Sequence, residues 1–497
     1  MKLAVRIDAP VPLRWHTDLV DRLSGVAGVQ ASLLRAPARP DRQARRLHRL
    51  MALERRLHRL DPPATRPAEA GVLGRQGTAS PATADRVLDL TALEPGDSPT
   101  WRVTYDGAPG DRALLEALRR GRLPLVEVWD ETGEPVACGR PGSEQPGVMA
   151  SCWADVLAGV TTLVVGAVEG HRFAEPAYRQ QEPEPWPPPG RPRSVGVMAA
   201  RRLVGAAAHL GYRTLYRAPH WRVGWRFVDG PDVIDLLGQP DAGWHDLPDD
   251  GYHFYADPFP FEYDGRTFLF VEDFDHRVAK GVISVVEYDD SGPIGSPRPV
   301  LEHDVHLSYP FVLEHDGEVW MIPETCAAGT VELYRATRFP DSWERESVLL
   351  EGLEASDATP FVHDGRWWLA ATVRQGGSFS DGLHLWSAPD LRGPWRPHPG
   401  NPVLVDIASA RPAGRVVLRD GRLLRPTQDG RAGYGAALTL TEITRLDEAA
   451  FEQRVVAHLG PGESWPGRRL HTLNRAGNLE VIDGSGMSPR LRRRSPS

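Results

Sequence analysis

Cysteine, lysine and long apolar runs are all scarce in this chain, and each shortage excludes something. Three cysteines in 497 residues (Cys138, Cys152 and Cys326) are too few and too scattered for a disulfide framework or a zinc knuckle, so no metal is expected. Lysine occurs only at Lys2 and Lys280, with arginine everywhere else, which reads as the coding bias of a GC-rich, bacterial genome. The formal net charge of −8 argues against nucleic acid as a partner. No run of about 18 apolar residues is evident, so no membrane span is expected. The first residues, Met1 to Asp8, lack an apolar stretch of signal-peptide length, which makes a cytoplasmic protein the default. Neither a Gly-x-Gly-x-x-Gly nor a phosphate-binding loop stands at a strand-to-helix turn, and no cofactor can be named. What remains, 41% hydrophobic and 25% charged, is an ordinary globular composition with length for two or three domains.

In the first third, strand-like and helix-like stretches alternate. Leu3–Ile7, Val29–Leu34, Arg86–Leu90, Trp101–Tyr105, Leu125–Trp129 and Thr161–Val168 read as strands, and Arg112–Arg120 as a helix. Leu47, Leu50, Leu53, Leu57 and Leu60 recur at helical spacing in an arginine-rich background, the pattern of a helix with one solvated face. The alternation predicts an α/β domain with a mostly parallel sheet over residues 1–175. A Pro-rich linker over 176–196 follows, its proline density incompatible with helix or central strand.

The rest of the chain is organised by an Asp-Gly turn between two apolar strand-like runs. It occurs at Gly265, Gly317, Gly365 and Gly421, spaced 52, 48 and 56 residues apart. A period near fifty with hairpin chemistry in each repeat predicts a blade array. Four repeats parse into four strands each. A fifth at the C-terminus is incomplete, and Trp221–Val228 with the Trp244 region can supply its missing strands, closing the ring. The expected architecture is multidomain: an α/β domain followed by an all-β five-bladed β-propeller over 197–486, with 487–497 as a disordered tail.

Eight residues before each turn glycine, the first strand of a blade begins nearest the central axis. Those positions hold Asp257, Tyr309, Asp357 and the Arg411–Ala413 stretch, with His471 in the comparable place of the fifth unit. A second set, Glu272–Asp273, Glu324, Thr372 and Gln428–Asp429, stands at the ends of second strands. Glu324 follows the apolar Met321-Ile-Pro323, where burial would raise its pKa as a general acid requires. The alternative is that Glu324 merely pairs with Arg411 or Arg425. His306 would stand at the channel mouth, or serve as a structural histidine.

Tyr255-Ala-Asp-Pro-Phe259, His306-Leu-Ser-Tyr-Pro-Phe311, Ile322-Pro-Glu324, Ser356-Asp-Ala-Thr359, Arg411-Pro-Ala-Gly414 and Arg425-Pro-Thr-Gln-Asp429 occur as an ordered set. Together they resemble the propeller domain of the plant glucosamine inositolphosphorylceramide transferases, from about Trp221 to Gly484. In those proteins the propeller is joined to a separate glycosyltransferase domain, so the match does not by itself transfer their activity. The architecture is also similar to the five-bladed hydrolases of glycoside hydrolase family 43. That resemblance implies catalytic roles for Asp257, Glu324 and Asp357. The remaining polar residues of the pocket, His306, Tyr309, Arg411, Arg425, Gln428, Asp429 and His471, are the expected substrate contacts. The order departs from the hydrolases, whose second blade carries an Asp where this chain has Tyr309. An inverting reaction would set acid and base about 6.5–9.5 Å apart.

The N-terminal layout loosely resembles the formyltransferase-like domain of some bacterial two-domain proteins. Residues 105–112, Tyr-Asp-Gly-Ala-Pro-Gly-Asp-Arg, lack the histidine motif of that family, which implies a degenerate scaffold. Three readings follow: a carbohydrate-active enzyme cleaving or transferring a glycosyl group, a non-catalytic glycan- or glycoconjugate-binding protein, or a formyltransferase. The expected partner is a sugar or glycoconjugate, and oligomeric state stays open.

Overall fold

The computed structural model describes the chain apart from residues 10, 38–41, 70–82, 177–193, 241–242, 463–464, 466–467 and 491–497. Most of the expected linker and the end of the expected tail therefore lie outside the described residues. The start of that tail pairs: Ser488–Pro489 forms a two-stranded ladder with Tyr216–Arg217.

The N-terminal part is α/β. Its sheet runs in the order Gln30–Arg35, Lys2–Ile7, Arg86–Asp89, Thr100–Tyr105, Val126–Trp129, Pro135–Gly139. The first four strands are parallel and the last two antiparallel, so the sheet is mixed where a mostly parallel one was expected. The last of these pairings follows from a tight turn: Gly133 donates to the Asp130 carbonyl between Val126–Trp129 and Pro135–Gly139, too short a connection for a parallel crossover. The arginine-rich helix Arg42–His58 buries Leu47, Leu50 and Met51 and turns Arg45, Arg46 and Arg49 to solvent.

One expected strand is a helix. Thr161–Val168 forms the last turns of Met149–Glu169, which is continuous from its start among Ala, Cys and Trp. An apolar run of eight residues has no period that separates buried strand from buried helix, and here length decides. Trp15 fixes this helix to the domain, its Nε1 donating to the Leu157 carbonyl (2.8 Å) and the Thr161 hydroxyl (2.9 Å). Among the described residues, this helix is the one long and apolar enough by length and composition to cross a membrane, and 67% of its most apolar window is buried inside the fold.

Five antiparallel sheets follow as a propeller. Blade 1 is built on His253–Tyr263, Arg266–Asp275, Lys280–Asp289 and Arg298–Leu301; blade 2 on Ser308–His315, Glu318–Thr325, Thr330–Arg338 and Ser342–Glu351. Blade 3 uses Ala355–His363, Arg366–Val373 and Gly382–Ala388, and its fourth strand is split into Arg396–Pro397 and Leu404–Val405. Blade 4 uses Val417–Arg419, Arg422–Asp429, Ala437–Leu446 and Phe451–Leu459. Blade 5 closes the ring as expected: the C-terminal Leu473–Ala476 and Leu479–Ser485 form its inner half, and Trp221–Phe227 and His245–Asp246 its outer half. One sheet thus joins a strand that precedes blade 1 to strands that follow blade 4, which closes the ring.

The Asp-Gly turns repeat in backbone detail. Asp264, Asp316, Asp364 and Asp420 have φ of 49–54°, and the glycines after them 70–75°. Two successive left-handed residues match the twist of a hairpin, which is why Asp-Gly recurs there. On the opposite face each of the first three inner strands carries the same irregularity. The ladder skips between Ala256 and Phe259, Ser308 and Phe311, and Ser356 and Thr359. At each bulge the residues named by counting back from the turn, Asp257, Tyr309 and Asp357, adopt φ of 47°, 44° and 55°. A left-handed non-glycine residue costs on the order of 1–3 kcal/mol. Three at one register re-aim three side chains toward the axis.

Candidate active site in the propeller

The bulges and the second-strand ends meet on one face. In the ladders Ala256 pairs with Glu272, Ser308 with Glu324 and Ser356 with Thr372, so each second-strand residue sits beside the bulge of its own blade. Glu324 thereby reaches the next blade: its Oε2 accepts the backbone N–H of Asp357 at 3.0 Å.

Arg411 stands at the centre. Its Nε donates to Asp357 Oδ2 at 2.5 Å, and its Nη2 lies 3.8 Å from Glu324 Oε2. Gln428 Nε2 donates to the same Asp357 oxygen at 2.9 Å. The Tyr434 ring packs on the guanidinium, 5.2 Å from its centroid. Burial would weaken the protonated form of Arg411, but the Asp357, Tyr434 and Glu324 groups outweigh it and raise its pKa. Burial, reinforced by the charge of Asp357 and opposed by Arg411, pushes Glu324 up to about 8. Its side chain keeps 15% of its surface open.

Asp257 lies deeper, among donors. Oδ1 accepts from the Thr472 hydroxyl (2.9 Å) and Oδ2 from the Tyr309 N–H (3.2 Å), with His471 Nε2 3.7 Å away. The other His471 nitrogen is 2.6 Å from Asp483, whose carboxylate also accepts the N–H groups of Asp257, His471 and Thr472. Burial raises Asp257 to about 6 against the pull of His471. Burial alone would lower His471, but Asp483 and Asp257 raise it. Asp257, His471 and Asp483 lie close enough to share a cation, yet each is already engaged with the others or with backbone donors.

His306 stands at the mouth. Its Nδ1 accepts the Gly281 N–H (2.9 Å), so Nε2 carries the proton and faces Glu272 Oε1 at 3.3 Å. Burial lowers the His306 pKa and raises that of Glu272, which Asp257 and Glu324 push further. Glu272 is a member of the set that the expected site residues omitted, although its register beside Asp257 matches that of Glu324 beside Tyr309. Above these groups opens a cavity of about 460 Å³, lined among others by His306, Glu324, Cys326, Phe379, Arg411 and Tyr434.

Three expected contact residues face elsewhere. Tyr309 is fully buried: its hydroxyl crosses the axis to Thr359 Oγ1 (2.9 Å) and accepts the Gly414 N–H (2.8 Å). Gly414 is required there, since a Cβ would lie 2.1 Å from the Leu473 carbonyl oxygen. Tyr309 is therefore a plug between blades. Arg425 is 1% exposed and donates to the carbonyls of Ala410 and Ser409 and to Gln453; burial lowers its pKa to about 9. Asp429 is spent on Arg431. Both point into blade 4 because alternate residues of a strand face opposite sides. Gln428, between them in register, faces the site and braces Asp357.

Comparison with known proteins finds similarities for this part. Residues 246–484 match the family described as glucosamine inositolphosphorylceramide transferase 1, N-terminal. The transferase of that name from Oryza sativa subsp. japonica is 33% identical over 248 residues, 47% of this chain and 33% of the rice protein. The Arabidopsis thaliana protein is 34% identical over 247 residues, 47% of this chain and 32% of its own length. The chain thus spans about a third of the curated relatives it matches. A solved thermostable family-43 glycoside hydrolase aligns over 46% of this chain and 85% of its own, at 14% identity and a TM-score of 0.34, too distant to speak to chemistry. The N-terminal domain lies outside the family match. The propeller of this chain is similar to the N-terminal region of the glucosamine inositolphosphorylceramide transferases.

Proposed function

We propose that the propeller pocket takes a sugar or sugar-bearing conjugate and that the chain cleaves or transfers a glycosyl group there, with Glu324 as proton donor. One observation carries this reading: a partly open carboxyl, Glu324, lines a cavity of about 460 Å³ beside Asp357, where burial and the Asp357 charge raise its pKa. An acid that stays protonated at neutral pH can give a proton to a departing glycosidic oxygen. Arg411 and Gln428 hold Asp357 in place beside it, and Asp257 is a further carboxyl buried deeper toward the axis. Tyr434 and Phe379 add aromatic groups to the cavity wall. The names of the plant relatives, transferases of a glucosamine, point to the same substrate class.

A second reading is non-catalytic recognition of a glycan. It is favoured by Asp257, whose two oxygens are already occupied by Thr472 and the Tyr309 N–H. Turnover of a panel of aryl glycosides and nucleotide sugars, measured beside sugar binding, separates the two. Turnover lost in Glu324→Gln with binding retained supports the enzyme. Binding without turnover in the native chain supports recognition, and neither binding nor turnover contradicts both.

A further inference from the structure

We propose that Glu144, from the N-terminal domain, is a positioning residue of the propeller pocket and that the pocket is complete only with that domain in place. The claim rests on the reading of this cavity as the functional site, but its geometry is independent of the reaction.

The segment between two strands of blade 3, residues 374–381, is held from outside the propeller. A single oxygen of Glu144, Oε1, accepts from the Ser378 hydroxyl (2.6 Å), the Phe379 N–H (3.0 Å) and the Ser380 hydroxyl (3.0 Å). Gly142 N–H donates to Asp381 at 2.6 Å, and Thr162 of the long helix reaches Gln375 at 3.1 Å. Beside these, Arg140 joins the backbone that leaves blade 3, its N–H donating to Val405 (2.8 Å) and its carbonyl accepting from Ile407 (3.0 Å). The approach is close: a Cβ on Gly142 would lie 2.4 Å from Ile407 Cδ1.

Ser380 connects this clamp to the site. While its hydroxyl donates to Glu144, its oxygen accepts from Arg411 Nη1 at 3.4 Å. The polarity runs one way, from guanidinium to hydroxyl to carboxylate, and Arg411 is the cation that holds Asp357 beside Glu324. Glu144 and Phe379 also line the same cavity as Glu324, Cys326 and Arg411. A carboxylate serving three donors makes charge-assisted bonds that a neutral acceptor makes less strongly. Removing it leaves the 374–381 segment tied to the N-terminal domain by the Asp381 and Gln375 contacts, and frees Arg411 on one side.

Cys326 reports on the result. It is partly exposed in this cavity, whereas Cys138 and Cys152 are buried. The full-length chain is compared with Glu144→Ala, Glu144→Gln, Ser380→Ala and Thr162→Ala by amide exchange of 374–381 and by the rate of Cys326 alkylation with iodoacetamide. Glu144→Ala is expected to speed exchange at Phe379 by about tenfold or more and to accelerate alkylation in parallel. Glu144→Gln, which keeps an acceptor oxygen of the same reach, is expected to restore much of the protection. Ser380→Ala should accelerate alkylation even if Glu144→Ala fails to fold, and Thr162→Ala, at the same interface but off the relay, should leave alkylation native. Unchanged alkylation in both Glu144→Ala and Ser380→Ala overturns the proposal, as does an equal effect from Thr162→Ala. Neither readout needs turnover, so an inactive protein would leave the positioning role standing.

Discussion

Arg411 Nε lies 2.5 Å from Asp357 Oδ2, while the same guanidinium comes no nearer than 3.8 Å to Glu324. One buried cation thus serves two carboxyls unequally. Asp357 takes the close contact, and Glu324 is left to burial and to the charge of its neighbour. Burial, reinforced by the charge of Asp357, raises the pKa of Glu324.

Removing the cation should be costly. Arg411→Ala leaves Asp357 buried against Gln428 alone, and breaking a buried ion pair from one side costs about 3–5 kcal/mol. Denaturant unfolding of the propeller, followed by tryptophan fluorescence, should show a loss of that order. Pairing Arg411→Met with Asp357→Asn should recover most of it, because no uncompensated charge remains.

The raised carboxyls set the pH dependence of stability. Glu324 moves from an ordinary 4.5 up to about 8 and Asp257 from 3.8 up to about 6. A folded state that holds protons more tightly than the unfolded chain loses stability as pH rises. The contribution of Glu324 is fully present below about 4.5 and gone above about 8. The native Tm should therefore fall between pH 5 and 8, and Glu324→Gln should show a shallower fall by differential scanning calorimetry.

The contact between domains should respond in the same direction. Burial, opposed by the Gly142 N–H and reinforced by Glu144 and Asp155, raises Asp381 to about 7; burial raises Asp155 to about 6. Both contributions are complete below the ordinary 3.8 and lost as pH passes 6 to 7. Amide exchange in 135–145 and 374–381 should speed up from pH 6 to 8 beyond the intrinsic rate increase, and Asp381→Asn should remove much of that excess.

Tyr309 should matter for stability without touching the pocket. Tyr309→Phe removes the hydroxyl that joins Thr359 to the Gly414 N–H and leaves a buried donor unpaired, at about 1–3 kcal/mol. Denaturant unfolding should register that loss while the alkylation rate of Cys326 stays native.

The repeat made the propeller readable. An Asp-Gly turn needs two left-handed residues, so its recurrence at Gly265, Gly317, Gly365 and Gly421 marks hairpins directly, and counting back places Asp257 and Asp357 on the axis. Counting could not show which way a side chain leaves a bulge. Tyr309 occupies the register of Asp257, but its hydroxyl bonds Thr359 and the Gly414 N–H instead of facing the pocket. Arg425 and Asp429 lie three residues before and one after Gln428 in one strand, and the two-residue period that brings Gln428 to Asp357 turns both to the other side. Glu144 was invisible for another reason: it lies in a different domain, more than 200 residues from the segment it clamps. Thr161–Val168 misled because a buried helix and a buried strand share composition when the run is short.

The protonation of Glu324 tests the site most directly. With glutamate carboxyls labelled in the full-length chain, the signal absent from Glu324→Gln is followed by carbon NMR from pH 4 to 10. A midpoint near 8, falling in Asp357→Asn as the neighbouring charge is removed, is the expected result. A midpoint in the ordinary glutamate range near 4.5 would contradict Glu324 as the proton donor and, with it, the assignment of this pocket to acid-assisted glycosyl chemistry.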